Sequence, residues 1–243
     1  MIAAASRLDA AAVEYVTELT ARLRATLGDA LLGVWLVGSA ARDDYVPGRS
    51  DLDVVAAVDR ALTRDEKEAV VARCRDSALP CPAKGLELVV YRPETAPAYE
   101  LNLNGGPVVP FHVSFEWGED EPHWFVVDLA CARGAAQPLH GPPLDEVLPE
   151  PPTADVRSAV RAVLDWQLRT EPAAANSVLN ACRAWRWAAT GDWASKTEAA
   201  AWARDFDPEL IDAALASRRG EAVPALDETR VRSLLRRAAE ELA

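Results

Sequence analysis

Asp51 and Asp53 stand two residues apart at the start of an apolar run, Asp51-Leu-Asp-Val-Val-Ala-Ala-Val58. Side chains of an extended strand alternate between faces, so both carboxylates point the same way. Like charges that close repel unless a cation sits between them. Mg²⁺ suits the pair, being oxygen-loving and usually shared between one or two carboxylates and substrate phosphates. Upstream, Gly38-Ser39 closes another apolar run, Leu31 to Val37. A glycine there lets backbone approach a phosphate, and the N–H groups of a following helix start can cradle it. Ser39 adds a hydroxyl donor. Glu87 lies near the start of a third run, Leu86 to Tyr91, and can bring a third carboxylate to the same edge. A phosphate cradle beside clustered carboxylates reads as a phosphoryl-transfer site. In such a reaction an acceptor hydroxyl loses its proton as it attacks phosphorus, and a carboxylate within reach can take it. A lone Asp-x-Asp is more often a polar strand entrance. The ordered series of strand, Gly-Ser, spacer and second strand favours the functional reading.

The elements needed to hold these residues are legible. Apolar residues at helical spacing (Val13, Val16, Leu19, Leu23, Leu27) predict a helix from Asp9, its N-cap, to Gly28, its stop. Strands are expected at 31–37, 51–58, 86–91 and 111–117. Thr63-Arg64-Asp65-Glu66 is a capping box, predicting a helix to about Ser77. Residues 118–150 read as turns around a short helical or strand segment near Val126 to Cys131. Pro149-Glu150-Pro151-Pro152 marks a joint. Beyond it only helices are expected, at 155–169, 176–190, 195–204, 208–216 and 227–242. The fold class is therefore an α/β domain over 1–151, a mixed sheet with flanking helices, followed by an all-α bundle over 152–243.

Charge narrows the partners. The 243 residues carry 26 basic and 38 acidic side chains, net −12. Residues 1–150 hold 13 basic and 24 acidic groups, so nearly all the negative charge is N-terminal. Such a surface repels phosphate backbones and favours cationic partners, which argues against nucleic acid. The N-terminus lacks a basic start followed by an apolar core, and no run approaches the roughly 18 apolar residues of a membrane span. Cys74, Cys81, Cys131 and Cys182 are scattered, and the three histidines show no ligand spacing. These features predict a cytoplasmic protein with reduced thiols and no membrane partner.

The run from Gly38-Ser39 to Asp51-Leu52-Asp53 resembles the nucleotidyltransferase signature. The stretch Asn176-Ser-Val-Leu…Arg183-Ala-Trp185…Thr190-Gly191…Lys196…Trp202-Ala resembles the helical domain of the aminoglycoside 3''- and 9-O-adenylyltransferases. Leu86-Glu87-Leu88 and Glu116-Trp117 match shorter motifs of that family. The resemblance covers most of the chain, with both long motifs in order. It implies transfer of AMP from ATP to a hydroxyl of a cationic aminocyclitol or aminoglycoside, with release of pyrophosphate. It also implies two magnesium ions on Asp51 and Asp53, and phosphate contacts from Gly38, Ser39 and Ser50. Glu87 would be the general base. Arg183 and Lys196 would reach the triphosphate from a helical domain that closes the active-site cleft. Trp117, Asn176 and Glu87 would face the antibiotic, and a monomer is expected.

The acidic group Glu119-Asp120-Glu121 is expected to be a solvated turn. Trp185, Trp187, Trp193 and Trp202 are expected to be packing residues. Members of the family that also accept streptomycin carry a Trp and an acidic residue before the Asn-containing helix. Here that loop, Gln167 to Ala175, is shorter and lacks a Trp. A spectinomycin-type acceptor therefore fits better. The alternatives are a biosynthetic hydroxyl acceptor and an antitoxin-type minimal nucleotidyltransferase. The latter are usually short and lack a helical domain.

Overall fold

The computed structural model describes residues 8–242. Residues 1–7, read above for a leader segment, lie outside the described residues. The chain divides into two compact units, Met1–Pro151 and Pro152–Ala243.

The first unit opens with helix α1 (Ala10–Leu27), whose N-cap Asp9 accepts the Ala12 N–H at 2.8 Å. Strand β1 (Leu31–Leu36), a single helical turn α2 (Gly38–Ala41) and strand β2 (Leu52–Val58) follow. Helix α3 (Arg64–Cys74) starts at the Thr63–Glu66 capping box, both halves of which form. Then come β3 (Leu86–Tyr91), β4 (Tyr99–Gly105), β5 (His112–Ser114), α4 (Pro122–Ala132), β6 (Gln137–His140) and a turn of helix α5 (Leu144–Val147). The six strands form one mixed sheet in the order β5-β4-β3-β2-β1-β6. Only β2 and β3 run parallel, joined through α3. The other pairs are antiparallel.

Alternation along the strands sorts the core into two layers. Val34, Leu36, Val54, Ala56, Leu86 and Leu88 pack with α1 and α3. Trp35, Val37, Val55, Ala57 and Tyr91 pack on the other face with Phe125 and Leu129 of α4 and Leu144 of α5. The parity of β2 and β3 therefore sends Asp53 and Glu87 to the face that α4 covers, with Asp51 just ahead of β2.

The sheet differs from expectation at β4, at β5 and at β6, the last in a stretch expected to be turns. β4 lies inside the sheet although its sequence, Tyr-Glu-Leu-Asn-Leu-Asn-Gly, reads as polar and turn-like. Only Leu101 and Leu103 enter the α3-side core, and the intervening asparagines hid the alternation. The strand expected at 111–117 is three residues long, because Phe115 onward turns away to carry a loop. The segment around 126–131 is the second half of an eleven-residue helix begun by Pro122, which suits a first helical turn.

The second unit is helical: α6 (Thr153–Thr170), α7 (Ala175–Thr190), α8 (Lys196–Ala203), α9 (Pro208–Arg218) and α10 (Glu228–Glu240). Its core is built from Val160, Leu164, Val178, Leu179, Ile211, Leu234 and Leu235, all buried. α7 ends at Gly191, whose φ of 80° is the left-handed conformation of a glycine C-cap. α8 begins with a second capping box, Ser195 with Glu198. Asp207 caps α9 and pairs with Arg230 of α10. Of the four tryptophans expected to pack, Trp187 is buried and stacks on Trp193 at 5.0 Å. Trp202 is not a core residue: it is 43% exposed and rests edge-on against Trp185. No described helix is long and apolar enough to cross a membrane.

Candidate active site

The site is assembled where the end of β1 meets the starts of β2 and β3. Asp53 and Glu87 are direct register partners across the parallel pair. Asp53 also accepts the Val37 N–H on its backbone carbonyl at 2.9 Å, which sets Gly38 beside it. Gly38 has φ +63°, and a Cβ there would collide with the Asp53 carboxylate. Both facts require glycine at this position. The next residue, Ser39, accepts the N–H groups of Arg42 and Asp44 on its carbonyl. Its hydroxyl oxygen is buried with no hydrogen-bond partner among the described residues. A buried hydroxyl left unpaired is costly, so this one is poised for an outside acceptor.

Asp51 precedes β2 and takes an ion pair from Lys84 Nζ at 3.3 Å. Ser50 is buried. Its Oγ accepts the Val46 N–H at 3.1 Å, so it closes the loop that leads into β2. Glu87 is held well above the usual carboxylate range. Burial is the main cause, followed by Asp53, Asp51 and Asp128 of α4, with Lys84 opposing.

These groups form an all-oxygen donor set, which suits a hard divalent cation. Among the described residues no group of three or more His, Cys, Asp or Glu is arranged to enclose a metal. A cation held by Asp51 and Asp53 would therefore complete its shell with phosphate oxygens and water, the usual habit of Mg²⁺.

The row continues past Glu87. Its cross-strand partner on β4 is Asn104, whose own partner on β5 is His112. Directly opposed residues share a face, so a half-buried amide stands next to Glu87. Sequence reading missed Asn104, and the Leu-Asn-Leu-Asn alternation was the signal that could have found it. One step along, Asn102 Nδ2 donates to Asp120 Oδ2 at 3.0 Å, and Tyr99 Oη donates to the same oxygen at 3.0 Å. His112 Nε2 lies 2.7 Å from Asp120 Oδ1. Burial alone would raise the Asp120 carboxyl, but hydrogen bonds from Asn102, Ser114, His112 and Tyr99 hold it below the usual range. Asp120 is thus not part of a solvated turn. It anchors the loop that carries Trp117, which leans on Tyr99 and Phe125 and remains 41% exposed.

In the helical unit, Lys196 Nζ donates to Asn176 Oδ1 at 2.6 Å, joining the start of α8 to the start of α7. Arg183 lies seven residues beyond Asn176, on the same side of α7, and is half-buried. The structure brings Gly38, Ser39, Asp53 and Glu87 together in the first unit, with Asp51 and Ser50 at their margin. In the second it joins Asn176 and Lys196, with Arg183 two turns farther along α7.

Two family models match separate stretches of the chain. The nucleotidyltransferase domain model matches residues 19–95. The model described as aminoglycoside adenylyltransferase, C-terminal domain, matches residues 146–241. The fold is similar to that of a spectinomycin adenyltransferase, AAD(9) from Enterococcus faecialis, whose crystal structure contains ATP and spectinomycin. The two share 21% identity at a TM-score of 0.70, over 95% of this chain and 98% of the other. A sequence comparison with curated proteins returns no match. With a nucleotidyltransferase domain followed by the C-terminal domain of the aminoglycoside adenylyltransferases, the chain is an enzyme of that family within the nucleotidyltransferase superfamily.

Proposed function

We propose that this enzyme transfers AMP from ATP to a hydroxyl of an aminocyclitol antibiotic of the spectinomycin type. The observation that carries the chemistry is the pairing of Asp53 with Glu87 beside Gly38 and the unpaired Ser39 hydroxyl. Residues 1–151 act as the nucleotidyltransferase domain and residues 152–243 as the helical domain. Ser39 donates to a phosphate oxygen, and the Gly38 backbone lets that phosphate approach. Asp51 and Asp53 hold the divalent cation, which when bound offsets charge on the α-phosphate and on departing pyrophosphate. Glu87 takes the proton of the attacking hydroxyl. Its carboxyl is pushed up by burial first and by the neighbouring aspartates second. Positive charge on those aspartates relieves their part of that shift and favours the ionised, proton-accepting form of Glu87. Arg183 and Lys196 are the cations assigned to the triphosphate, and Trp117 and Asn176 are assigned to the antibiotic.

Two features support the acceptor class. The structural neighbour is a spectinomycin adenyltransferase. The link between α6 and α7 is the short segment 171–174, without the Trp and aligned acidic residue tied to streptomycin. The acidic first unit suits a cationic ligand. All four cysteines are buried thiols, in keeping with a reducing, ATP-supplied cytoplasm. The test is pyrophosphate release from ATP and magnesium with a panel of acceptors. Spectinomycin should stimulate release and streptomycin should not. Release with neither, but with another polyol, would move the enzyme to a biosynthetic role.

A further inference from the structure

One lysine reaches the carboxylate cluster of the first unit. Lys84 Nζ donates to Asp51 Oδ2 at 3.3 Å, and the Lys84 side chain is 40% exposed. Its backbone is pinned on both sides. The Lys84 N–H donates to the Ser50 carbonyl at 3.1 Å, and its carbonyl accepts the N–H groups of Val108 and Val109. The neighbouring Gly85 packs so tightly that a Cβ there would strike Val109. The root of the side chain is therefore fixed at the entry to β3, while the four-carbon stem remains able to swing. The same ammonium is the one positive influence acting against the rise of the Glu87 carboxyl.

A divalent cation and the Lys84 ammonium compete for the same Asp51 oxygens. We propose that Lys84 is a tethered counter-cation: it holds Asp51 in the metal-free enzyme, yields that carboxylate to the divalent metal, and then offers its ammonium to the nucleotide phosphate that accompanies the metal. This rests on the reading of Asp51 and Asp53 as metal ligands. A lysine suits the task because its charge is compact and its stem flexible, whereas the planar fork of Arg favours a fixed bidentate pair with the carboxylate.

The test is Mn²⁺ binding without nucleotide, followed by electron paramagnetic resonance of the free ion, in the wild type, Lys84→Met, Lys84→Arg and Asp53→Asn. Circular dichroism confirms that each variant is folded. Lys84→Met should bind Mn²⁺ roughly fivefold more tightly, the upper range for release of an exposed ion pair. Lys84→Arg should not tighten binding. The KM for the ATP–magnesium complex should rise in Lys84→Met, since the phosphate partner is gone. Equal or weaker Mn²⁺ binding in Lys84→Met, with binding still lost in Asp53→Asn, overturns the role of Lys84 alone. No Mn²⁺ binding by any variant overturns that role and the metal assignment together.

Discussion

Asp53 and Glu87 are register partners on the parallel strand pair β2–β3, so their carboxylates leave the same face one strand spacing apart. Strands of a sheet lie about 4.8 Å apart, close enough for each charge to act strongly on the other. One of the pair is assigned to a cation and the other to a proton. Replacing either should stop AMP transfer. Asp53→Asn and Glu87→Gln should each lower kcat by roughly 10²- to 10⁴-fold, the usual range for loss of a general base. Pyrophosphate release under saturating ATP and spectinomycin is the measurement. A Glu87→Gln enzyme at near wild-type rate would show that the base lies elsewhere.

The same pair governs stability. The folded protein keeps a proton on Glu87 that the unfolded chain would release, because burial and then Asp53 raise its carboxyl. The contribution of Glu87 to stability is therefore complete below the ordinary carboxylate range and is lost as pH rises through its raised folded value. Glu87→Gln cannot ionise. Without metal, this variant should melt at a higher temperature than the wild type at neutral pH, and its melting should vary less with pH above the carboxylate range. Magnesium should narrow the gap by stabilising the wild type. Thermal unfolding from pH 4 to pH 8, with and without magnesium, reads both effects; a wild type that gains stability relative to Glu87→Gln as pH rises reverses the sign and defeats the argument.

Gly38 has neither the room nor the backbone conformation for a side chain. Gly38→Ala should cost about 1–2 kcal/mol for the left-handed conformation alone. It should cost more through displacement of Asp53. Calorimetric melting and turnover should fall together. A Gly38→Ala enzyme with wild-type kinetics would mean that the Asp53 carboxylate moves aside without consequence.

Lys196 and Asn176 are joined at 2.6 Å at the starts of their helices. If Lys196 serves the triphosphate, Lys196→Met should raise the KM for ATP by roughly tenfold or more, the worth of a charge-assisted hydrogen bond. Asn176→Ala should act chiefly on the KM for the antibiotic. Steady-state kinetics with each substrate varied in turn separates the two roles, and identical effects of both variants on both constants would reduce the pair to a structural tie.

Asp120 binds Tyr99, Asn102 and His112 at once. Asp120→Ala leaves the buried Asn102 amide without its acceptor, at a cost of about 1–3 kcal/mol. It also loosens the loop bearing Trp117. The KM for the acceptor should rise while the KM for ATP stays near its wild-type value. A change confined to ATP would detach Trp117 from the antibiotic.

The sequence alone determined the elements whose signals are local. The cap at Asp9, the capping box at Thr63, the apolar runs that became β1 to β3, and the Gly-Ser and Asp-x-Asp spacing are all signals carried by residues a few positions apart. Strand parity also placed Asp51 and Asp53 on one face before any sheet was known. What the tertiary structure decided was adjacency. Nothing local indicates that Glu87 pairs with Asp53 and not with a residue one step along, since register is set by packing of both faces. β4 was invisible because its buried face is only two leucines wide, and its asparagines gain meaning only beside Glu87 and Asp120. Lys84 reads in sequence as an ordinary charge between Ala83 and Gly85. Its backbone bonds to Ser50, Val108 and Val109 bring it to Asp51, 33 residues away in the chain. Long-range hydrogen bonds of this kind carry no trace in local composition, so the carboxylates could be foreseen from the sequence and their counter-charge could not.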